Sequence, residues 1–272
     1  WLKPAISPEE KQAVHDIGEP GLLFGPREMR LYPNGQLAGH ILGGTTFGAQ
    51  GVHSAEVIGM AGVEKAFDTF LRDPRFDGQP LQLSVDLTVQ SALEEALYGG
   101  MRLMNAKGAS AVLMDAFSGE IVSLSSLPDF NPNNRPRPLT QGDASDSALF
   151  NRAVQGVYEL GSVFKAFTVA QAMDLGLVEP DTLVDTKGPL RWGKHKISDY
   201  RDYGAQLSVE KVLIKSSNIG TARLSLMIGA DLQKDFLDRL GLLQATPIEM
   251  IEGPTGRPQY PSNWSDISTM TI

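Results

Sequence analysis

The sequence predicts an α+β domain, with helices on one face of an antiparallel sheet, preceded by an extended and partly irregular N-terminal module. Three observations carry this reading. A helical run starting near residue 86 leads into a two-strand hairpin and then into several helices, an order that suits an antiparallel α+β layer. Residues 1–80 are dense in turn residues and hold few long periodic runs. Composition changes near Leu81, so the expected modules are 1–80 and 81–272.

In the first module, GEPG (18–21), YPNG (32–35) and GGTTFGAQG (43–51) break any long periodicity. One helix is expected over Val63–Leu71, where Val63, Phe67 and Leu71 recur at four-residue steps. LQLSVDLTVQ, beginning at Leu81, reads as a strand running into a helix capped at Asp86 or Thr88. Val89, Leu93, Leu97, Met101 and Met104 continue that helix, and Gly99 and Gly100 weaken its end. SAVLMDAFSGEIVSLSSLP reads as a hairpin, with strands near Ala111–Met114 and Glu120–Ser123 and a Ser118-Gly119 turn. LPDFNPNNRPRP (127–138) is a Pro/Asn-rich loop. A helix follows from Ser162 through Phe167 and Met173 to a stop at Gly176. RWGKHKISDYRDYG (191–204) reads as polar loop, before helices over Ser208–Lys215, Gly220–Leu226 and Asp231–Leu240.

The totals narrow the function. The chain has 272 residues, 42% of them hydrophobic, which suits a globular core. A net charge of -8 without basic runs argues against nucleic acid as a partner, because phosphate binding is driven by Lys/Arg clusters. With no cysteine, disulfides, thiolate catalysis and Cys-ligated zinc are excluded, and the compartment stays open. His15, His40, His53 and His195 are too scattered for a metal motif, so no metal or cofactor is expected. Asp115 and Glu120 flank a hairpin turn and read as turn and solvent residues. The aromatic and basic residues of 192–203 are nearly cancelled by acids, the pattern of a solvated loop lining a cleft. No window approaches the roughly 18 apolar residues of a membrane span. The chain opens at Trp1 and closes in ISTMTI, and a piece of a longer protein is expected.

Two S-x-x-K motifs occur, and their surroundings differ. Ser208-Val-Glu-Lys211 opens a helical stretch with a charged first turn, so Ser208 reads as an N-cap. Ser162-Val-Phe-Lys165 follows Gly161 and encloses apolar residues. On a helix, i and i+3 share a face, so Lys165 can reach the Ser162 hydroxyl. Burial among Val163, Phe164 and Phe167 would lower the lysine pKa, placing a general base beside a nucleophile. The bland alternative is again an N-cap serine beside a snorkelling lysine. KSSNIG (215–220) adds Ser216 and Asn218 between two helical stretches. Here a hydroxyl can relay a proton and an amide can hold a substrate.

S-x-x-K followed by S-x-N is the motif order of penicillin-binding proteins and class A β-lactamases. The positions of the two motifs, 162 and 216, resemble those in class B penicillin-binding proteins. LSVDLTVQ resembles that family's S-x-D-x-x-x-Q segment. AVLMDAFSGEIVSLSSLPDFNPN resembles its strand, D-x-x-x-G, strand and P-x-x-x-P-N signature. YELGSVFK resembles Y-E-P-G-S-x-F-K, and RLYPNGQLAGHILG with GVEKAFDTFL resembles the N-terminal pedestal. Among the class B subtypes the chain looks most like the divisional FtsI type, on its S-S-N triplet and YPNG segment.

The resemblance implies a penicillin-binding/β-lactamase-like transpeptidase domain behind an N-terminal pedestal. It implies a peptidoglycan D,D-transpeptidase with Ser162 as nucleophile, Lys165 as base, Ser216 as proton relay and Asn218 as the residue that holds the substrate amide and orients Lys165. It further implies stem peptides as substrates, β-lactams as covalent inhibitors, membrane proteins of the division complex as partners, and no cofactor. The implied location is the periplasm, anchored in the bacterial inner membrane by one N-terminal segment. Two departures stand out: Leu160 replaces the usual proline, and there is no K-T-G motif. In the family that motif lies further past Asn218 than Ile272 does, so the expectation is a chain lacking part of the sheet and site, whose turnover needs the missing segment. A serine β-lactamase or β-lactam sensor is a competing reading, opposed by the pedestal-like residues. A non-catalytic division scaffold is another.

Overall fold

The computed structural model describes residues 2–3, 6–25, 29–50, 54–192, 195–253, 260 and 264–271. The chain forms two compact units, Trp1–Ala153 with Glu249–Glu252, and Val154–Ile248 with Gly253–Ile272.

The first unit begins with α1 (Pro8–Asp16), closed by a capping box between Ser7 and Glu10, and buries none of its residues. After α2 (Gly39–Leu42), strands β1 (Gly44–Gln50) and β2 (Ser54–Ala61) form an antiparallel ladder. Gly43 (φ +83) and Gly62 (φ +57) sit where the chain crosses itself, and a Cβ on Gly43 would lie 1.9 Å from Ala61 O. The helix expected over Val63–Leu71 is two short helices, α3 (Gly62–Ala66) and α4 (Asp68–Arg72). The break falls at Phe67 (φ −109), and the Asp68 carboxylate ties the first turn of α4 to β2, accepting from Gly59 N at 2.7 Å and from Arg72 Nη1 at 3.1 Å.

Three of the pedestal-like residues form one cluster. Tyr32 is buried, and its hydroxyl donates to Glu64 Oε1 at 3.2 Å, while Arg30 Nε donates to Glu64 Oε2 at 3.3 Å. Burial, then the Glu64 charge, pushes the Tyr32 phenol up to about 12. The Tyr32 backbone is read by Asn133, whose Oδ1 accepts from Tyr32 N at 3.0 Å and whose Nδ2 donates to Tyr32 O at 2.8 Å.

Helix α5 (Leu87–Leu103) is capped by Asp86, whose Oδ1 accepts from Thr88 N at 2.8 Å and Val89 N at 3.0 Å. It runs through Gly99 and Gly100. Residues 81–86, which lead into it, form no strand. Instead, Ser84 Oγ donates to Ile121 O at 2.8 Å and Asp86 N to Val122 O at 3.0 Å, along β4 (Ile121–Leu127). This strand pairs with β3 (Ala109–Met114), with Val112 opposite Leu124. Gln90, fully buried, completes the arrangement. Its Nε2 donates to Leu124 O at 2.8 Å, and its Oε1 accepts from Leu124 N at 3.0 Å and Ser123 Oγ at 2.8 Å. One side-chain amide thus does for Leu124 what a further strand's peptide group would do.

The second unit holds α6 (Lys165–Asp174), which ends before Gly176 (φ +65). Strand β5 (Leu183–Asp185) precedes β6 (Leu190–Trp192), which pairs antiparallel with β7 (His195–Ile197). The stretch 191–204 therefore contains a hairpin rather than loop alone. Arg191, Trp192, His195 and Lys196 are all exposed, so no apolar alternation marked it. Gly193 and Lys194 lie outside the described residues, as do Gly51 and His53.

Strand β8 (Gln206–Ser208) pairs with β5 and leads into α7 (Val209–Ile214), α8 (Asn218–Ile228), α9 (Ala230–Arg239) and α10 (Asp266–Thr271). The core joins Val169 and Ala172 of α6, Val184, Leu207, Val212 of α7, and Leu224 and Ile228 of α8. Each large side chain there contributes about 1.5–3 kcal/mol of burial. The fold class is α+β, as expected. Among the described residues the strands pair two by two.

His40 is buried, edge-on to Phe130 with ring centroids 5.1 Å apart. His15 and His195 are exposed. These are packing and surface roles.

Candidate active site

The site grows from a sharp turn. Gly161 takes a left-handed conformation (φ +57) that a side chain would strain. Residues Gly161–Phe164 form a 3₁₀ turn, and α6 starts at Lys165. In 3₁₀ geometry i and i+3 eclipse, so Ser162 and Lys165 stay on one side. Leu160, standing in place of proline, has φ −69, the value a proline ring would impose, so the turn keeps its shape without the ring. Phe164 is buried beneath, and Ser162 is exposed.

The KSSNIG segment supplies the facing wall. Helix α7 ends in a Schellman motif, with Ser216 N donating to Leu213 O at 3.0 Å and Ser217 N to Val212 O at 2.9 Å. Ser216 occupies the left-handed position of that motif (φ +53), where glycine is the usual residue. A side chain there costs about 1–2 kcal/mol. Ser217, fully buried, is the N-cap of α8, its Oγ accepting from Gly220 N at 2.9 Å. A helix C-terminus and the next N-cap thus share three residues, and the outer two point away from the core.

Lys165 joins the two walls. Its Nζ donates to Ser216 O at 2.6 Å, Ser216 Oγ at 2.9 Å and Asn218 Oδ1 at 2.6 Å. The expected partner Ser162 is not among these acceptors. Three acceptors match the three protons of an ammonium. Loss of one proton releases one acceptor and leaves a lone pair. Burial lowers the lysine pKa, and the Asp199 charge opposes that fall. Asn218 is oriented from its other end, where Nδ2 donates to Ser198 O at 2.8 Å. Ser162, Lys165, Lys196, Ser198, Asn218 and Tyr260 line a cavity of about 1100 Å³. The four candidate residues therefore meet at Lys165 and this cavity.

Asp199 was not expected in the site. Its Oδ2 accepts from Ser217 Oγ at 2.7 Å and its Oδ1 from Ile219 N at 2.9 Å. In the sequence it is one acid in a segment whose charges nearly cancel. No spacing rule links it to a helix N-terminus that begins at residue 218. Ser208 does what its context suggests, its Oγ accepting from Lys211 N at 3.3 Å as the N-cap of α7. Among the described residues no group of three or more His, Asp and Glu side chains is placed to hold a metal ion.

Comparison with known proteins adds an independent line. The family model described as the penicillin binding protein transpeptidase domain matches residues 109–272. The penicillin-binding protein dimerisation domain model matches residues 2–74. A probable peptidoglycan D,D-transpeptidase FtsI of Caulobacter vibrioides is 36% identical over 95% of this chain and 41% of its own length. The peptidoglycan D,D-transpeptidase FtsI of Escherichia coli K12 is 29% identical over 100% of this chain and 47% of its own. A probable peptidoglycan D,D-transpeptidase PenA of Neisseria gonorrhoeae is 31% identical over 89% and 43%. The chain spans less than half the length of these relatives.

Proposed function

We propose that this chain, which belongs to the penicillin-binding protein transpeptidase family and is similar to its class B, FtsI-type members, carries the acyl-transfer site of a septal peptidoglycan D,D-transpeptidase. The observation that carries the reading is the clamp on Lys165: Ser216 Oγ at 2.9 Å and Asn218 Oδ1 at 2.6 Å hold a pKa-lowered amine beside the cavity that Ser162 lines.

In this reading a stem pentapeptide ending in D-alanyl-D-alanine enters the cavity. Ser162 Oγ attacks the carbonyl carbon of the penultimate residue while Lys165 takes the hydroxyl proton. Ser162 N–H, at the start of the 3₁₀ turn, faces the developing oxyanion. When the tetrahedral intermediate collapses, the C–N bond breaks. The leaving D-alanine nitrogen receives the Ser216 hydroxyl proton, and Lys165 returns its proton to Ser216. Asn218 holds the substrate amide and keeps Lys165 in place. An amine from a neighbouring stem then attacks the ester, gives up a proton to the same base, and closes the crosslink as Ser162 regains its hydrogen. β-Lactams acylate Ser162 by the first of these steps.

The modular assignment is part of the proposal, with residues 1–80 as pedestal and 81–272 as transpeptidase domain. So are membrane proteins of the division complex as partners, and a periplasmic location with an inner-membrane anchor. No helix among the described residues is long and apolar enough to cross a membrane. The test of the activity is the lifetime of a fluorescent penicillin adduct. A one-equivalent adduct released slowly supports the transpeptidase; rapid hydrolysis of the drug speaks for a β-lactamase instead.

A further inference from the structure

We propose that Asp199 is a positioning residue of the candidate site, anchoring the Ser216–Asn218 turn to the end of β7 and, through that turn, the Lys165 ammonium. The inference rests on the reading of Lys165 as the catalytic base.

Three contacts converge on two adjacent residues. Asp199 accepts from Ser217 Oγ at 2.7 Å and from Ile219 N at 2.9 Å, while the neighbouring Ser198 O accepts from Asn218 Nδ2 at 2.8 Å. Every residue from 217 to 219 is therefore tied to the segment that follows β7. Ser216, next in the chain, holds a left-handed conformation that a free serine would leave. With Ser217 pinned on one side and the end of α7 on the other, Ser216 has no room to relax, and its O and Oγ remain on Lys165. An acid at the N-terminus of α8 is also favoured by the helix dipole, so the anchor is a stable one.

Asp199 has a second effect. The titratable groups that line the cavity with Lys165 are Tyr158 and Glu159 ahead of the Ser162 turn, Lys196 on β7, and Tyr260, while α7 and α8, which pack against α6, carry Glu210 and Lys211, and Arg223. Arg223 is paired to Asp185 at 2.9 Å. Asp199 is the group whose charge acts on Lys165, favouring the ammonium against desolvation. The carboxylate thus holds the base in place and delays its deprotonation, and its removal moves two observables in opposite senses. Acylation slows because the clamp loosens, yet the amine becomes neutral at lower pH.

The test uses Asp199→Asn and Ser217→Ala in the full chain. The first measurement is the titration of Lys165 by NMR in protein labelled with ¹³Cε-lysine, with the signal assigned by its loss in Lys165→Arg. Lys165 must titrate at lower pH in Asp199→Asn than in the parent; an unchanged or higher titration overturns the proposal. This arm does not need the chain to be active, so a parent protein that takes no penicillin defeats the functional reading while leaving this inference decidable. The second measurement is the pH profile of penicillin acylation. Asp199→Asn is expected to be slower by about tenfold or more, with its acid limb shifted to lower pH. Ser217→Ala keeps the charge and loses the link, so it slows the reaction while moving the limb less than Asp199→Asn does. This variant carries the test if circular dichroism finds Asp199→Asn unfolded. Acylation by Ser217→Ala at the parent rate contradicts the anchoring.

Discussion

Gln90 and Asn218 are both side-chain amides set against a backbone carbonyl, one in each compact unit. Gln90 Nε2 donates to Leu124 O at 2.8 Å, and Asn218 Nδ2 donates to Ser198 O at 2.8 Å. Their other ends differ. Gln90 is fully buried, and its Oε1 is taken by Leu124 N and Ser123 Oγ, partners fixed in a strand. Asn218 is exposed at a cavity, and its Oδ1 rests on an ammonium that can lose a proton and turn away. The buried amide has no spare capacity and can only hold. The exposed one keeps one end on a titratable group, which is what a part in proton transfer would require. Both belong to segments that resemble family motifs, so motif membership alone does not separate architecture from chemistry.

The contrast can be broken or sharpened by substitution, and the largest effect is expected at Lys165. Lys165→Ala should slow penicillin acylation by about 10²–10⁴-fold, the range of general-base catalysis, with thermal unfolding little changed. In the parent, acylation should fall as pH drops through the lysine pKa, since only the neutral amine accepts a proton. Because that pKa is lowered, the fall begins at lower pH than an exposed lysine would give. Gln90→Leu should do the reverse. It orphans Leu124 N and O and should destabilise by about 3 kcal/mol in urea unfolding, since each buried unpaired group costs roughly 1–3 kcal/mol.

His40 tests the same division through pH. Burial, opposed by its bond to Pro128 O and reinforced by the Arg152 and Arg135 charges, lowers its pKa to about 4. The folded pKa lies below the unfolded value of about 6.5, so the unfolded chain binds the extra proton in this window. The stability contribution is present in full above pH 6.5 and lost as pH falls toward 4, by about 3 kcal/mol in all. The urea stability of His40→Gln should lack that part of the pH slope. The smallest effect is expected at the other S-x-x-K motif: Ser208→Ala should cost about 1 kcal/mol as a lost N-cap and leave acylation unchanged.

Much of the site was legible because its pieces are local. A glycine, a serine and a lysine within five residues fix the turn that carries Ser162, and S-S-N fixes a helix junction. Gly161 and Leu160 were readable as a turn, and the φ −69 of Leu160 explains why the missing proline removes nothing from its shape. What escaped was non-local. Asp199 acts across the fold on residues 217 and 219, and nothing in its neighbours marks it. The absence of Ser162 from the acceptors of Lys165 likewise depends on where α8 packs against α6, whereas the contact of Asn218 with Lys165 is one that the family resemblance implied. The strand expected before Asp86 is reduced to two bonds to β4, at Ile121 and Val122, because the chain turns into α5 at Asp86 and Gln90 occupies the Leu124 position.

The most direct test of the central claim, that Ser162 and not its motif twin is the acylated residue, is intact mass after incubation with penicillin, for the parent, Ser162→Ala and Ser208→Ala side by side. One bound equivalent is expected on the parent and on Ser208→Ala, and none on Ser162→Ala. An adduct that persists on Ser162→Ala would contradict it.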